Sequence, residues 1–422
     1  MFVLLVFSSS LMAANVTIKA KNESLKSVLE KITQQTGYEF AYSNAINPNS
    51  IKVNVEVTNQ DSDVFFKEFF SKYGIVYKVS GKTISLSKQD LATQQPQQKD
   101  LKDNQNVKIS GVVLDENGFL ESYKQIGEND EAEGTKWYAY LKVHAPSPWY
   151  NNQTYLDTLN PKAVKRFVEV THDRYKETIG EHFGNVVPAI FTDEPQFTRK
   201  TLLHNSTDKD DIAMPWTDDI PETYKAQYGE DIIAHLPEIF WELPDGKVSL
   251  IRYHYHDHIS ERFSQAFADV CGNWCRENGI ALTGHMMEEP TLHSQTAALG
   301  EAMRSYRSFQ LPGIDMLCNL REFTTAKQAQ SAVHQFGYEG ILSELYGVTG
   351  WDCDFRTYKY QGDWQAALGI TVRVPHLSWY SMAGEAKRDY PASISYQSPW
   401  YKEYCAIEDH FARVNTAKIF VK

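Results

Sequence analysis

The feature that most constrains this chain is an alternation running through residues 137–376. Apolar runs recur at 137–143, 186–192, 280–285, 313–317, 340–344 and 370–376. Stretches of helical periodicity lie between them, over 160–175, 224–240, 250–277, 293–306, 324–336 and 357–368. The first opens on Asn160-Pro161, a cap followed by proline at the first helical position, with Val164, Phe167, Val168, Thr171 and Tyr175 on one face. Strands that alternate with helices specify a parallel sheet, because each parallel return needs a long crossover. The count and spacing favour a (β/α)8 barrel over a doubly wound sheet, and no glycine fingerprint follows the first strand. The expected fold class is therefore α/β, with a barrel of about six strands where a closed one needs eight. If the run at 370–380 is the eighth strand, the first two belong before Phe119 and are missing, as a deletion or joined reading frame would leave them.

The front of the chain has another character. Residues 1–14 form a short apolar run ending in Ala13-Ala14, which predicts a secretory signal peptide cleaved nearby, although no Lys or Arg precedes it. Residues 15–88 read as β-α-β-β-α-β-β: Ser24 caps a helix with Leu25, Val28, Leu29 and Ile32 inward, and a second helix carries Phe65, Phe66, Phe69, Phe70 and Tyr73. The hairpin that closes the segment turns at Ser80-Gly81. Residues 89–106, with Gln94-Gln95-Pro96-Gln97-Gln98, read as a flexible linker. A strand and turn follow at 107–118.

On "LKSVLEKITQQTGYEFAYS", "VNVEV", "VFFKEFFSKYGIVYKV" and "KTISLS", residues 15–88 resemble the secretin and TonB short N-terminal (STN) domain of SusC-like TonB-dependent receptors. The resemblance implies an exported protein, in the periplasm or at the outer membrane, and a periplasmic anti-sigma regulator as partner. Residues 107–118 resemble the first strand of a carboxypeptidase-regulatory-like domain. One strand cannot make a sandwich that needs about seven, so this is expected to be a remnant, and residues 119–422 are expected to hold the partial barrel.

A net charge of −12 argues against nucleic acid as a partner, since its phosphates need a basic surface. Nine Trp and 24 Tyr suit a core, and also suit stacking on sugar rings. Cys271, Cys275, Cys318, Cys353 and Cys405 make no disulfide framework, and Cys271 and Cys275, one helical turn apart with no metal motif beside them, read as small buried hydrophobes. His254, His256 and His258, two apart on a predicted helix, cannot converge on one ion.

In a barrel the chemistry sits where strands end. Asp193-Glu194, Glu288-Glu289 and Glu344 occupy such ends. Glycoside hydrolysis needs two carboxyl groups, one to protonate the leaving oxygen and one to attack or to activate water. Glu194 and Glu344 form the first candidate pair, with Glu289 as a substitute for either. Asp193, His144, Trp149, His285, Trp351, His376 and Trp379 are the candidate sugar contacts.

The segments "LDTLNPKAVKRFVEVTHDRYKETIG", "PAIFTDEPQ", "PWTDDIPETYKAQYGEDIIAHLPEIF", "LTGHMMEEP" and "GILSELYG" resemble glycoside hydrolases of family 106, the α-L-rhamnosidases, over about Trp137 to Lys422. The resemblance implies two catalytic glutamates in the barrel mouth, an oligo- or polysaccharide substrate and calcium assistance. The sequence itself requires no cofactor. The competing readings are a signalling module carried by residues 15–88, and an inactive truncated fusion.

Overall fold

A computed structural model describes residues 15–42, 48–80, 83–88, 108–127, 129–131, 135–317, 320–376 and 394–419. The expected signal peptide, the linker, Cys318 and Trp379 lie outside them, as does the side chain of Trp149. The chain divides into two units, residues 1–103 and 104–422. No helix among the described residues is long and apolar enough to cross a membrane.

In the first unit the elements follow the order read from the pattern: β1 (Asn15–Ser24), α1 (Leu25–Thr36), β2 (Glu39–Tyr42), β3 (Lys52–Asp61), α2 (Ser62–Lys72), β4 (Ile75–Ser80) and β5 (Thr83–Lys88). The Ser24 hydroxyl accepts from the Ser27 N–H, and Gly37 ends the helix in the left-handed conformation. Strand β1 pairs antiparallel with β3, while β5 lies between β2 and β4. Leu25, Val28, Leu29 and Ile32 from α1 meet Phe65, Phe66, Phe69 and Phe70 from α2 in one core. The expected helix faces are the buried ones.

The second unit opens with a three-stranded antiparallel sheet of β6 (Lys108–Leu114), β7 (Leu120–Ile126) and β8 (Thr135–Ala139), ordered β7-β6-β8. Two expectations change here. The 107–118 segment is not a solitary strand, since β6 is paired on both sides. The run that begins at Trp137 is not a barrel strand but the antiparallel neighbour of β6. The reason lies about a hundred residues along the chain. Val112 and Leu120 bury themselves on Trp241, and Trp137 meets the Trp241 ring edge-on at 4.9 Å. The Leu120 N–H also donates to the Glu242 carbonyl.

The remaining five runs form a parallel sheet ordered β13-β12-β11-β10-β9. Its strands are β9 (Ala189–Asp193), β10 (Ala281–His285), β11 (Leu311–Met316), β12 (Leu342–Leu345) and β13 (Val372–Pro375). The sheet curls as half a barrel, so five strands replace the expected six and no closed barrel forms among the described residues. Helices return the chain between strands: Pro161–Ile179 before β9, Phe323–Phe336 between β11 and β12, and Phe355–Ala367 between β12 and β13. The long helix expected over 250–277 carries a π-helical turn at Ser264–Asp269 between α-helical Leu250–Phe263 and Val270–Glu277. One apolar core holds sheet and helices together, from Leu159 to Phe411.

Candidate active site

The parallel register builds the site. Asp193 at the end of β9 pairs with His285 at the end of β10, and Asp315 on β11 pairs with Glu344 on β12. Paired residues in a sheet point to the same face. The strands approach closely here because two positions lack a side chain. A Cβ on Gly284 would stand 1.9 Å from the Thr192 carbonyl oxygen, and one on Gly313 would stand 2.4 Å from the Gly284 carbonyl oxygen.

His285 is the hub. It is fully buried, and its Nε2 lies 2.9 Å from Glu344 Oε2 and 3.5 Å from Asp193 Oδ1. Its Nδ1 is buried without a partner. Burial disfavours a charged imidazole, but the hydrogen bond to Glu344 and the fields of Glu289 and Asp315 outweigh it and raise the group to about 9. Asp193, His285 and Glu344 each bring an atom within 4.8 Å of the other two, as do Glu194, His285 and Asp315.

The other carboxyls differ in their commitments. Glu289 is buried, and its carboxylate accepts from the Tyr306 hydroxyl at 2.8 Å, the Asp315 N–H at 3.1 Å and the Met286 N–H at 3.3 Å. Burial lifts it to about 7 against the pull of His285 and these donors. Glu289 thus ties β10 to β11 from beneath the rim. Glu288 is half exposed and salt-bridged to Arg199 at 2.6 Å. Burial raises the Glu194 carboxyl above its ordinary value, opposed by His285 and assisted by Asp193, Glu344 and Glu288. Glu194 thus joins Glu289 as a carboxyl that burial pushes toward its protonated form.

Backbone strain marks the same rim. Among the described residues, those with positive φ that are not glycine, asparagine or aspartate are Glu194 (φ 45°), Glu288 (58°), Tyr346 (73°) and Val348 (59°). All four follow the ends of β9, β10 or β12. Left-handed backbone is costly for such side chains and concentrates where function demands a shape.

The remaining sequence candidates are distributed more widely. His144 is exposed, with Nε2 2.9 Å from the hydroxyl of Thr198 in the segment after β9. The His376 N–H donates to the Leu345 carbonyl, its ring packs beside Gly347, and its Nδ1 is buried without a partner. Trp351 is partly exposed in the segment after β12. Trp149 lies in the helical turn Pro148–Tyr150. Two residues that sequence reasoning missed are also here. Asp315 sits within an apolar strand, where a carboxylate reads as incidental. The Tyr155 hydroxyl is raised by burial and by its neighbours, Asp193 and Glu194 among them, and its ring lies 5.1 Å from that of Tyr150.

The three spaced histidines do separate structural work, as expected. His254 stacks on Tyr228 at 4.2 Å, His256 faces Lys200, and His258 bonds Gln227 and Thr223. Cys271 and Cys275 are buried and free, and burial pushes both thiols up to about 12. Each of the two groupings brings two carboxylates together with the His285 imidazole.

No protein-family model and no curated protein matches the sequence. Among solved structures, a rhamnosidase from Novosphingobium sp. PP1Y is similar with a TM-score of 0.50, at 16% identity, over 70% of this chain and 30% of that one. The chain thus spans less than a third of the length of that protein. The likeness is one of architecture: a mixed α/β fold with a parallel sheet.

Proposed function

We propose that the second unit is a glycoside hydrolase of the α-L-rhamnosidase type, acting on an oligo- or polysaccharide. The observation that carries this reading is the gathering of Asp193, Glu194, Asp315 and Glu344 around the buried imidazole of His285. Glu194, lifted by burial, is the acid that gives its proton to the glycosidic oxygen as the C1–O bond breaks. Glu344, 2.9 Å from His285 Nε2, serves as the nucleophile, or as the base that takes a proton from water. Tyr150, Tyr155 and Trp351 are the aromatic faces for the sugar rings.

The first unit has a core of its own. Its element order supports the reading of an STN domain that docks an anti-sigma regulator, in an exported protein of the periplasm or outer membrane. Co-purification of a periplasmic regulator with the full chain, lost on truncation to residues 104–422, tests that part.

The catalytic reading is tested by assaying the purified chain against aryl glycosides, aryl α-L-rhamnoside first. Glu194→Gln and Glu344→Gln should each lower the rate by about 10²–10⁴-fold while the thermal midpoint holds. A folded protein that releases no aglycone from any member of the panel sinks the proposal.

A further inference from the structure

The carboxyls of the rim are not equally engaged. Glu344 accepts from His285, Glu289 takes three donors, and Glu288 is held by Arg199. Asp315 is different, as is Glu194, the acid assigned above. The Asp315 N–H serves Glu289, but no described residue donates a hydrogen bond to its carboxylate. That carboxylate is partly buried and has an oxygen within 4.8 Å of both Glu194 and His285. It stands in register with Glu344 on the neighbouring strand. A carboxylate withdrawn from water without donors is costly to keep. A bound molecule that brings donors offsets that cost.

We infer that Asp315 is a substrate-holding carboxylate, accepting hydrogen bonds from hydroxyls of an uncharged sugar, and that the site excludes uronic acids. This rests on the saccharide reading above and adds to it a holding residue and the rejection of charged sugars. Ring hydroxyls supply donors without bringing charge. Among the described residues the rim presents Asp193, Glu194, Glu288, Asp315 and Glu344 beside His285 and Arg199, so the carboxylate of a uronate would enter a field weighted to its own sign. Burial lifts Asp315 to about 7, opposed by His285 and assisted by Glu344, Glu289 and Glu194, so added negative charge would be resisted further.

The test is binding, measured on the full chain by saturation-transfer NMR and calorimetry. The probes are neutral methyl glycosides (rhamnoside, glucoside, galactoside), their singly deoxygenated forms and methyl glucuronoside. The wild type should bind at least one neutral glycoside at least tenfold more tightly than the glucuronoside, and should lose affinity when one particular ring hydroxyl is removed. Asp315→Asn, with an unchanged melting curve, should weaken the neutral ligand at least tenfold. Equal affinity for glucuronoside, or indifference to every deoxygenation, overturns the inference using the wild type alone. Asp315→Asn binding within twofold of wild type also overturns it. If the wild type binds none of these sugars, the saccharide reading itself fails, which is a distinguishable result.

Discussion

His285 Nε2 stands 2.9 Å from Glu344 Oε2, and this contact holds a charged imidazole inside the second unit. The folded-state value is raised from 6.5 to about 9, a difference of about 3 kcal/mol. A group raised on folding stabilises the protein fully below its unfolded value, and that contribution is lost as pH rises through the folded one. The stability advantage of wild type over His285→Gln should therefore be largest near pH 6 and shrink toward pH 9.5. Denaturant unfolding of both proteins across that range measures it. A constant gap would mean the imidazole is neutral.

Lys200 gives the opposite pH sign. Its ammonium position is buried, 2.8 Å from His256 Nδ1 and over the rings of Phe197 and Tyr255, and burial lowers it to about 7. Below pH 7 the folded protein carries a buried charge, and the penalty fades as pH rises toward 10.5. Lys200→Met should stabilise the protein at pH 6 by as much as about 4 kcal/mol, and by progressively less up to pH 10. If Lys200→Met is the less stable protein at pH 6, this account of the amine is wrong.

Gly284 has φ 121°, and any side chain there meets the Thr192 carbonyl. Gly284→Ala must strain the backbone and also part β9 from β10. The expected loss is on the order of 3 kcal/mol or more, with activity falling further than stability because Asp193 and His285 move apart. Calorimetry and an aryl-glycoside assay on the same preparation separate the two effects.

Trp241 anchors the antiparallel sheet on Val112, Leu120 and Trp137, with its indole N–H donating to the Ser206 carbonyl at 2.9 Å. Trp241→Ala should cost about 3–5 kcal/mol. Limited proteolysis should then cut within residues 108–139 while the parallel sheet stays resistant. Equal resistance in both regions would show that the small sheet holds without this anchor.

Local signals were legible where they act locally. Ser24 and Asn160-Pro161 announced helix starts, because capping is decided within four residues. The spacing of Leu25, Val28, Leu29 and Ile32 gave the buried face of α1, and the ends of β9, β10 and β12 brought acids to one rim. What the sequence hid depends on distant partners. The pairing of Trp137 is decided by Trp241, and alternation alone does not tell an antiparallel strand from a parallel one. Asp315 was invisible because only the register with β12 turns it toward His285. Glu289 and Glu288 are adjacent in sequence, yet one is sealed by three donors and the other salt-bridged at the surface.

The left-handed residues at Glu194, Glu288, Tyr346 and Val348 make one end of the half-barrel a spring under load. Replacing Val348 with glycine would release part of that load and yield a sturdier molecule. On the proposed function the same change would reshape the rim at which substrate is selected, so gains in heat resistance and losses in discrimination should arise at the same few positions.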